Sequence, residues 1–317
     1  MRFITPAVLA LSSCSAPADE GPGSMAADVV ATKDVAPEVE AVDASDDAEL
    51  GAEPPDAGPA DAAAVETRVE PPCDSLPLLA ETYDGLTTAL YAIGRVGATE
   101  GAFHLDSASY TSLLFLPVGT GWQDHAADVD FGCRDMPVPG WDGLGTLPNV
   151  QGFPVIGMAG IDLFRVAPTR LDVDDATITW EPTDFESRPG AVDLAHEWVQ
   201  GQLLVEARFD GVDVTVVVDT GAAHSLWLGV EPEAGDVEVT TEDALGDPLT
   251  VWLGSATLGL GDESATVPIF RAPSFPVLEQ TEARLGRKLG GLIGLSAMRR
   301  LYVDAAAGVV AVRMRTP

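Results

Sequence analysis

Two aspartates in this chain follow apolar runs and open turns of small residues. The segment 216–222 reads Val-Val-Val-Asp-Thr-Gly-Ala, so three β-branched residues lead into Asp219 at the end of a predicted strand. The segment 101–108 reads Gly-Ala-Phe-His-Leu-Asp-Ser-Ala and gives Asp106 a similar setting. Carboxylates act as general acids and bases, and two of them held close together acquire different pKa values. Asp106 and Asp219 are therefore the first candidates for chemistry.

A second feature follows each aspartate in the same order. An apolar-apolar-Gly signature, Leu-Ile-Gly at 292–294, lies downstream of Asp219, and Val-Ile-Gly at 155–157 lies downstream of Asp106. Each signature is followed by two short apolar or alternating runs. A repeat of this kind predicts two similar units within one chain.

On these motifs, roughly the last three-quarters of the chain resembles the pepsin and retropepsin superfamily of aspartic peptidases. The resemblance implies a mostly β fold of two retropepsin-like acid-protease β-barrel lobes, a degenerate one at 73–190 and a second at 191–317, preceded by a disordered acidic tether. It also implies an Asp/Asp dyad, Asp219 with Asp106, that activates water to hydrolyse peptide bonds without a cofactor. The substrates would be peptides or proteins.

The resemblance implies supporting roles for the residues around the two aspartates. The hydroxyls of Thr220 and Ser107 would bond across the lobe interface, and the N–H of Gly221 would point at a carboxylate. One apolar-apolar-Gly signature would pack beneath each aspartate loop. The predicted supporting residues are Thr220, Gly221, Ala222, Ser107, Ala108, Ile293, Gly294, Ile156 and Gly157.

The first copy departs from the family pattern at one position. Ala108 stands where the family has Gly, and its Cβ could crowd the lytic water or refuse a positive φ. One alternative is therefore a relic first lobe, in which case the chain is a catalytically inactive binding or scaffold module. Two others are an ordinary Asp-Thr-Gly strand turn at Asp219 and a homodimer whose dyad is Asp219 from two chains. A second unit in the same chain favours a monomer.

The N-terminus predicts a lipid anchor. Residues 1–13 resemble a short secretory leader with Arg2 at its basic start, and Leu-Ser-Ser-Cys at 11–14 resembles a bacterial lipobox. Lipidation of Cys14 would hold the protein in the bacterial cell envelope, at the outer membrane or the periplasmic face, without a membrane span. The alternative is an ordinary disordered N-terminus with a chance Leu-Ser-Ser-Cys.

Residues 14–72 are predicted to form a disordered tether. They consist mainly of Ala, Pro, Gly, Asp and Glu with almost no aromatic residues, so they cannot bury enough apolar surface to offset their ordering entropy. Like charges along this segment favour an extended chain. The net charge of −33 argues against nucleic acid as a partner, because phosphate binding needs a basic face.

The three cysteines fit this arrangement. With Cys14 lipidated, Cys73 and Cys133 remain as an even pair in an oxidising compartment, which predicts a disulfide between the start of the folded region and the first lobe. The four histidines are scattered, with no His-Glu-x-x-His or paired-Cys spacing. No metal site is therefore predicted.

The elements that would position these residues are mainly strands. Apolar or alternating runs bounded by Gly, Asp and Pro predict strands at 203–209, 212–218, 249–253, 266–270 and 302–312. Helical periodicity is confined to brief pieces such as 78–93 and 280–289.

A hairpin that closes over the substrate is expected at such a site. Residues 236–252, turning at 246–248, could supply it for the second lobe, and residues 136–141, turning at Pro139-Gly140, could supply it for the first. Trp141 would then lie over the cleft, whereas a core or surface position is the simpler alternative.

Overall fold

Short β-strands make up most of the described chain, which confirms the predicted mostly β class. The computed structural model describes residues 74–132, 134–142, 149–242 and 248–315. Within them are twenty strands, one α-helix and two short 3-10 turns. The predictions for Cys14, Cys73 and Cys133, for the leader and for the tether lie outside the described residues.

The N-terminal half, residues 74–181, contributes nine strands and one 3-10 turn. Their bounds are β1 Ser75–Tyr83, β2 Leu86–Val96, β3 Thr99–Leu105, β4 Leu113–Phe115, β5 Gln123–Asp130, β6 Asp135–Trp141, β7 Val155–Ala159, the 3-10 turn Ile161–Phe164, β8 Thr169–Asp172 and β9 Thr177–Trp180.

The C-terminal half, residues 191–315, contributes the remaining elements. Their bounds are β10 Val192–Asp193, β11 His196–Val199, β12 Gln202–Phe209, β13 Val212–Val218, β14 Ser225–Leu228, β15 Val237–Glu242, β16 Pro248–Leu260, β17 Glu263–Ala272, α1 Pro276–Leu285, β18 Gly291–Ile293, the 3-10 turn Leu295–Ala297, β19 Met298–Asp304 and β20 Val309–Met314.

Six strands of the N-terminal half pair into a closed ring, the first ring. Their order is β2-β3-β7-β4-β6-β5, and a pairing between β5 and β2 at Asp130 and Arg95 returns to the start. β3 and β7 are parallel, with Leu105 beside Ala159, whereas β4 is antiparallel to β7. The chain therefore leaves β3 toward Asp106 at the same edge where β7 ends.

Six strands of the C-terminal half form a second ring with the same order and directions. The order is β12-β13-β18-β14-β17-β16, closed by pairing of β12 with β16. β13 and β18 are parallel, with Val218 beside Ile293, and β14 is antiparallel to β18. The strand pairing thus repeats as the sequence repeat predicts. Among the described residues, β15 has no counterpart in the first ring.

One run of strands joins the two halves. Its order is β10-β20-β19-β8-β9-β1, with three strands from each half. β19 and β8 make the junction, where Arg300 lies opposite Asp172 and its Nε donates to that carboxylate at 2.5 Å. The largest apolar cluster contains buried side chains of both halves, including Phe103 and Phe209. The described residues belong to one compact unit.

The predicted helix at 78–93 is wrong, because this segment is the hairpin of β1 and β2. Its turn is Asp84-Gly85, and both residues have positive φ, 54° and 79°. An Asp-Gly turn of this kind matches the twist of two antiparallel strands. Spaced apolar residues imitate a helical pattern here, but the turn dipeptide sets the structure.

The predicted helix at 280–289 is present, although it begins and ends earlier. Helix α1 starts with Pro276 in its first turn and ends at Leu285, where Gly286 adopts a left-handed φ of 64°. Proline at the start and glycine after the end are the usual signals of these positions. No helix in the described part of the chain is long and apolar enough to cross a bilayer.

The two predicted hairpins have different outcomes. The hairpin at 236–252 is confirmed as β15 and β16, which pair from Val237 with Leu253 to Glu242 with Pro248, although residues 243–247 at its tip lie outside the described residues. The turn predicted at Pro139-Gly140 is wrong, because β6 continues through both residues. The β5–β6 register shifts near this point, and such an irregularity tolerates a proline without an N–H.

Candidate active site

Both predicted aspartates lie at the ends of parallel strand pairs. Asp106 follows β3, and its N–H donates to Ala159 O at 2.9 Å. Asp219 follows β13, and its N–H donates to Ile293 O at 2.9 Å. The three β-branched residues that end β13 favour a strand, and all three of their side chains are fully buried, as suits an interior strand. Neither aspartate is exposed to solvent, at 0% for each.

Backbone N–H groups of each loop hold the preceding carboxylate. Ala108 and Ser109 donate to Asp106 Oδ1 at 2.9 and 3.1 Å, and Gly221 donates to Asp219 Oδ1 at 2.8 Å. Such charge-assisted bonds fix the orientation of a carboxylate. The expected contact of the Gly221 N–H is therefore present, and Ala108 makes the matching contact in the other loop.

Two hydroxyls join the loops by reciprocal hydrogen bonds. Ser107 Oγ donates to Val218 O at 2.8 Å and accepts from the N–H of Thr220 at 3.0 Å. Thr220 Oγ1 donates to Leu105 O at 3.1 Å and accepts from the N–H of Ser107 at 3.0 Å. Both side chains are fully buried. The structure therefore brings the predicted residues together, and each loop contacts the backbone next to the other aspartate.

The pKa of Asp219 is raised well above its ordinary value of 3.8. Burial is the main cause, followed by the charge of the Asp106 carboxyl, while the N–H groups of Gly221 and Ala222 lower the pKa. A carboxyl in this environment retains its proton at a higher pH than a free aspartate does. The two acids therefore interact as a pair, which suits one to donate a proton and the other to accept one.

The hydrogen bonds correct the predicted register of the first apolar-apolar-Gly signature by three residues. The N–H of Gly294 donates to Ser225 Oγ at 3.2 Å, six residues after Asp219. In the N-terminal half the N–H of Gly160, not of Gly157, donates to Ser112 Oγ at 3.0 Å, which is six residues after Asp106. The counterpart of the segment 292–294 is therefore 158–160.

Close packing explains why both glycines are required at these positions. A Cβ on Gly160 would lie 2.5 Å from Thr111 O, and a Cβ on Gly294 would lie 2.5 Å from His224 O. Ile156 and Gly157 belong to β7 beside β3, where a Cβ on Gly157 would meet Phe103 at 2.3 Å. Gly157 thus serves packing within the first ring, whereas Gly160 lies against the aspartate loop.

Ala108 fits its loop without backbone strain. Among the described residues with positive φ, neither Ala108 nor Gly221 is found, so the expected conflict between a Cβ and a positive φ is wrong. The Ala108 methyl is buried in an apolar cluster with Leu204 and Val217 of the C-terminal half. The side chain of Gln202, also buried, donates from Nε2 to Ala108 O at 2.9 Å.

Two further apolar groups lie beside the loops. Hairpin β15–β16 packs through Val239, Val251 and Leu253 against the same cluster as Ala108 and Ala222. Trp141 is half-buried in a second cluster with Tyr110, Phe115, Trp122, Leu113 and Met158. The second cluster follows the Asp106 loop along β4 and β7, so Trp141 packs beside that loop.

His224 lies in the Asp219 loop, whereas a surface cavity lies away from both aspartate loops. Burial lowers the pKa of His224, and its ring lies edge-on to Phe270 with centroids 5.1 Å apart. A cavity of about 410 Å³ lies at the turn between β16 and β17, and no residue of either aspartate loop lines it. In the described part of the chain, no three His, Cys, Asp or Glu side chains are grouped to hold a metal ion.

Sequence reasoning misses four residues of the site: Ser112, Gly160, Asp162 and Gln202. Ser112 and Gly160 have a signal in the sequence, because Ser112 and Ser225 each lie six residues after an aspartate. In the structure, the hydroxyl of each serine accepts a hydrogen bond from the N–H of a glycine. The contacts of Asp162 and Gln202 join segments that are 50 and 94 residues apart in the sequence, so local sequence patterns do not predict them.

Comparison with known proteins adds one distant similarity. No protein-family model and no curated protein sequence matches the chain. Among solved structures, it is similar to basic 7S globulin from soybean, with 9% identity over 75% of this chain and 94% of that chain and a TM-score of 0.43. That similarity is too distant to assign a family.

Proposed function

We propose that the chain is an aspartic endopeptidase that hydrolyses peptide bonds with a water molecule activated between Asp106 and Asp219. The observation that carries this proposal is the reciprocal bonding of Ser107 and Thr220, which links two equivalent aspartate loops. A structure that only needed two strand turns would not require each hydroxyl to satisfy the backbone beside the other aspartate. The bonds are explained if the two carboxylates must keep a fixed mutual position.

The proposed architecture follows from the same repeat. The first and second rings would be two retropepsin-like β-barrel lobes within one chain, with the lobe boundary near residue 190. The common order of strands and the matching bonds of Gly160 and Gly294 support this assignment. A substrate peptide would bind between the rings, with hairpin β15–β16 as the element that covers it.

The two acids would take complementary roles. One carboxyl of the pair would hold the shared proton and donate it to the oxygen of the scissile carbonyl, because burial and the charge of the neighbouring carboxyl favour one retained proton. The other carboxylate would accept a proton from water as the water oxygen bonds to the carbonyl carbon. Return of a proton to the amide nitrogen would then break the C–N bond and leave a carboxylic acid and an amine.

Cleavage of a peptide library from about pH 3 to pH 8 tests this proposal. The chain would be compared with Asp106→Asn, Asp219→Asn and the control Asp213→Asn, whose side chain is 73% exposed. Loss of cleavage in both site variants but not in the control supports the dyad. Loss with Asp219→Asn alone, together with a dimer in sedimentation, supports a dyad from two chains. No cleavage at any pH contradicts the proposal.

One observation favours a second candidate, a catalytically inactive binding or scaffold module. Both carboxylates are at 0% exposure, and the Ala108 methyl is sealed in an apolar cluster. Binding of library peptides without cleavage, unchanged in Asp219→Asn, would support this candidate over the peptidase.

We also propose a lipid anchor at Cys14, since the residues before it resemble a lipobox. In a bacterial host, the N-terminal peptide should carry acyl chains on Cys14, and Cys14→Ser should move the protein from the membrane fraction to the soluble fraction. An unmodified thiol at this position in the membrane-free fraction would contradict the anchor.

A further inference from the structure

A half-buried carboxylate lies directly behind the Asp106 loop. Asp162 belongs to the 3-10 turn after Gly160, and it accepts hydrogen bonds from the N–H of Ser112 at 2.7 Å, Ser112 Oγ at 2.6 Å and Thr111 Oγ1 at 3.1 Å. The N–H of Leu163 adds a fourth bond at 3.0 Å. Three of the four bonds therefore come from the far end of the loop that begins at Asp106.

These bonds continue to Asp106 through short contacts. The N–H of Ser109 donates to Asp106 Oδ1 at 3.1 Å, and Ser109 O accepts from the N–H of Ile161 at 2.8 Å. Ile161 immediately precedes Asp162, and Ser112 Oγ, which donates to Asp162, also accepts from the N–H of Gly160. The carboxylate therefore ties the loop to the turn that follows β7.

The C-terminal half supplies an internal comparison. Ser296 occupies the position two residues after Gly294, as Asp162 does after Gly160. Ser296 is buried, and its Oγ makes no hydrogen bond to any described residue. Gly294 and Ser225 keep their own bond without help from this position. Among the residues that the structure describes, a carboxylate at this position is found in the Asp106 half alone.

A purely local role does not account for Asp162. The first turn of the 3-10 segment is closed by the backbone bond from the N–H of Leu163 to Gly160 O at 3.2 Å, without the Asp162 side chain. Even partial burial of a carboxylate is costly, and burial raises the pKa of Asp162 while the bonds from Ser112 and Thr111 lower it. No Lys, Arg or His among the described residues forms an ion pair with Asp162 within 4.0 Å, so the loop's N–H and O–H groups are its compensation.

We propose that Asp162 is a positioning residue that fixes the loop carrying Asp106, a role with no counterpart in the Asp219 loop. This inference rests on the proposed function for its catalytic consequence. A loop held in place changes the rate of the chemical step more than the affinity for substrate, because misplacement of a reacting group by about 1 Å can cost about 100-fold in rate. Loss of the anchor should therefore lower kcat and leave KM nearly unchanged.

The experiment uses the full chain with Asp162→Asn and the matched control Ser296→Ala. On a peptide found in the library, Asp162→Asn should lower kcat about 10- to 100-fold with KM within about threefold, whereas Ser296→Ala should change neither. Amide hydrogen exchange is measured in parallel. It should accelerate at 107–112 in Asp162→Asn and stay unchanged at 220–225.

A second variant, Ser112→Ala, guards against a global loss of folding. It removes the hydroxyl bond to the carboxylate together with the bond from the N–H of Gly160, and it should accelerate exchange in the same segment. Combining it with Asp162→Asn should give less than the sum of the two effects. If the unaltered chain cleaves no peptide, the proposed function fails, and the exchange measurement still decides on Asp162. Amide exchange rates at 107–112 that are the same in both variants as in the unaltered chain would overturn the inference. A kcat of Asp162→Asn within about twofold of that of the unaltered chain would also overturn it.

Discussion

Removal of either hydroxyl between the two loops should destabilise the whole described unit. In Ser107→Ala, Val218 O and the N–H of Thr220 both lose a buried partner. In Thr220→Val, Leu105 O and the N–H of Ser107 lose theirs. Each buried polar group left without a partner costs about 1–3 kcal/mol, and carbonyls fall at the lower end because they have two lone pairs. We therefore expect each variant to lower the free energy of unfolding by about 2–4 kcal/mol.

Urea unfolding of the full chain measures this loss. Because one run of strands and one apolar core include residues of both halves, a single unfolding transition is expected. The variants should have a lower urea midpoint and an unchanged dependence of the free energy of unfolding on urea. Ser107→Thr keeps a hydroxyl and should recover most of the stability. Ser187→Ala, which removes an exposed bond of 3.2 Å to Asp184 O, should change stability by less than about 0.5 kcal/mol.

Two results would refute the reasoning about these bonds. Values for Ser107→Ala and Thr220→Val within about 0.5 kcal/mol of the unaltered chain would show that the hydroxyls do not link the loops in solution. Two separate transitions, with only one of them shifted, would show that the halves fold independently.

Three further predictions concern charge and packing. Because the pKa of Asp219 is raised above 3.8 in the folded chain, its contribution to stability is present below pH 3.8 and is lost as pH rises through the folded pKa. In urea unfolding, the free energy of unfolding of Asp219→Asn should therefore increase relative to that of the unaltered chain as pH rises. A difference that stays constant with pH would contradict this. Arg271→Met removes the ion pair of the buried Asp236 side chain and should lower the free energy of unfolding by about 3–5 kcal/mol. Arg208→Met, at a 56% exposed side chain, should lower it by less than about 1 kcal/mol, and equal losses in the two variants would contradict this reasoning. Ala108→Gly should lower stability by about 1 kcal/mol without raising kcat in the cleavage assay, and a tenfold rise would show that the methyl crowds the water.

Local sequence signals predict the strands and turns of the site well. The strand predicted at 212–218 coincides with β13, because a β-branched run followed by Asp-Thr-Gly determines both its body and its end. The setting of Asp106 is recognised in the same way. These features depend on neighbouring residues, which a single sequence displays directly.

The wrong predictions arise where a local sequence pattern allows two interpretations. Gly157 and Gly160 both follow apolar residues, and only the bond to Ser112 distinguishes them. The segment 78–93 has apolar residues at helical spacing, yet Asp84-Gly85 makes it a hairpin. The role of Asp162 is harder still to predict, since its hydrogen-bond partners lie about 50 residues away in the sequence. Tertiary contacts decide such cases, and composition does not reveal them.

The junction between β8 and β19 has a consequence for any attempt to divide the molecule. If the backbone were cut within 182–191, each piece would contain all the strands of its own ring but present an unpaired strand edge whose hydrogen-bonding groups fit the other piece. Pieces produced together should therefore reassociate, as in fragment complementation. A piece produced alone should pair its open edge with copies of itself, because an exposed edge strand is a template for aggregation.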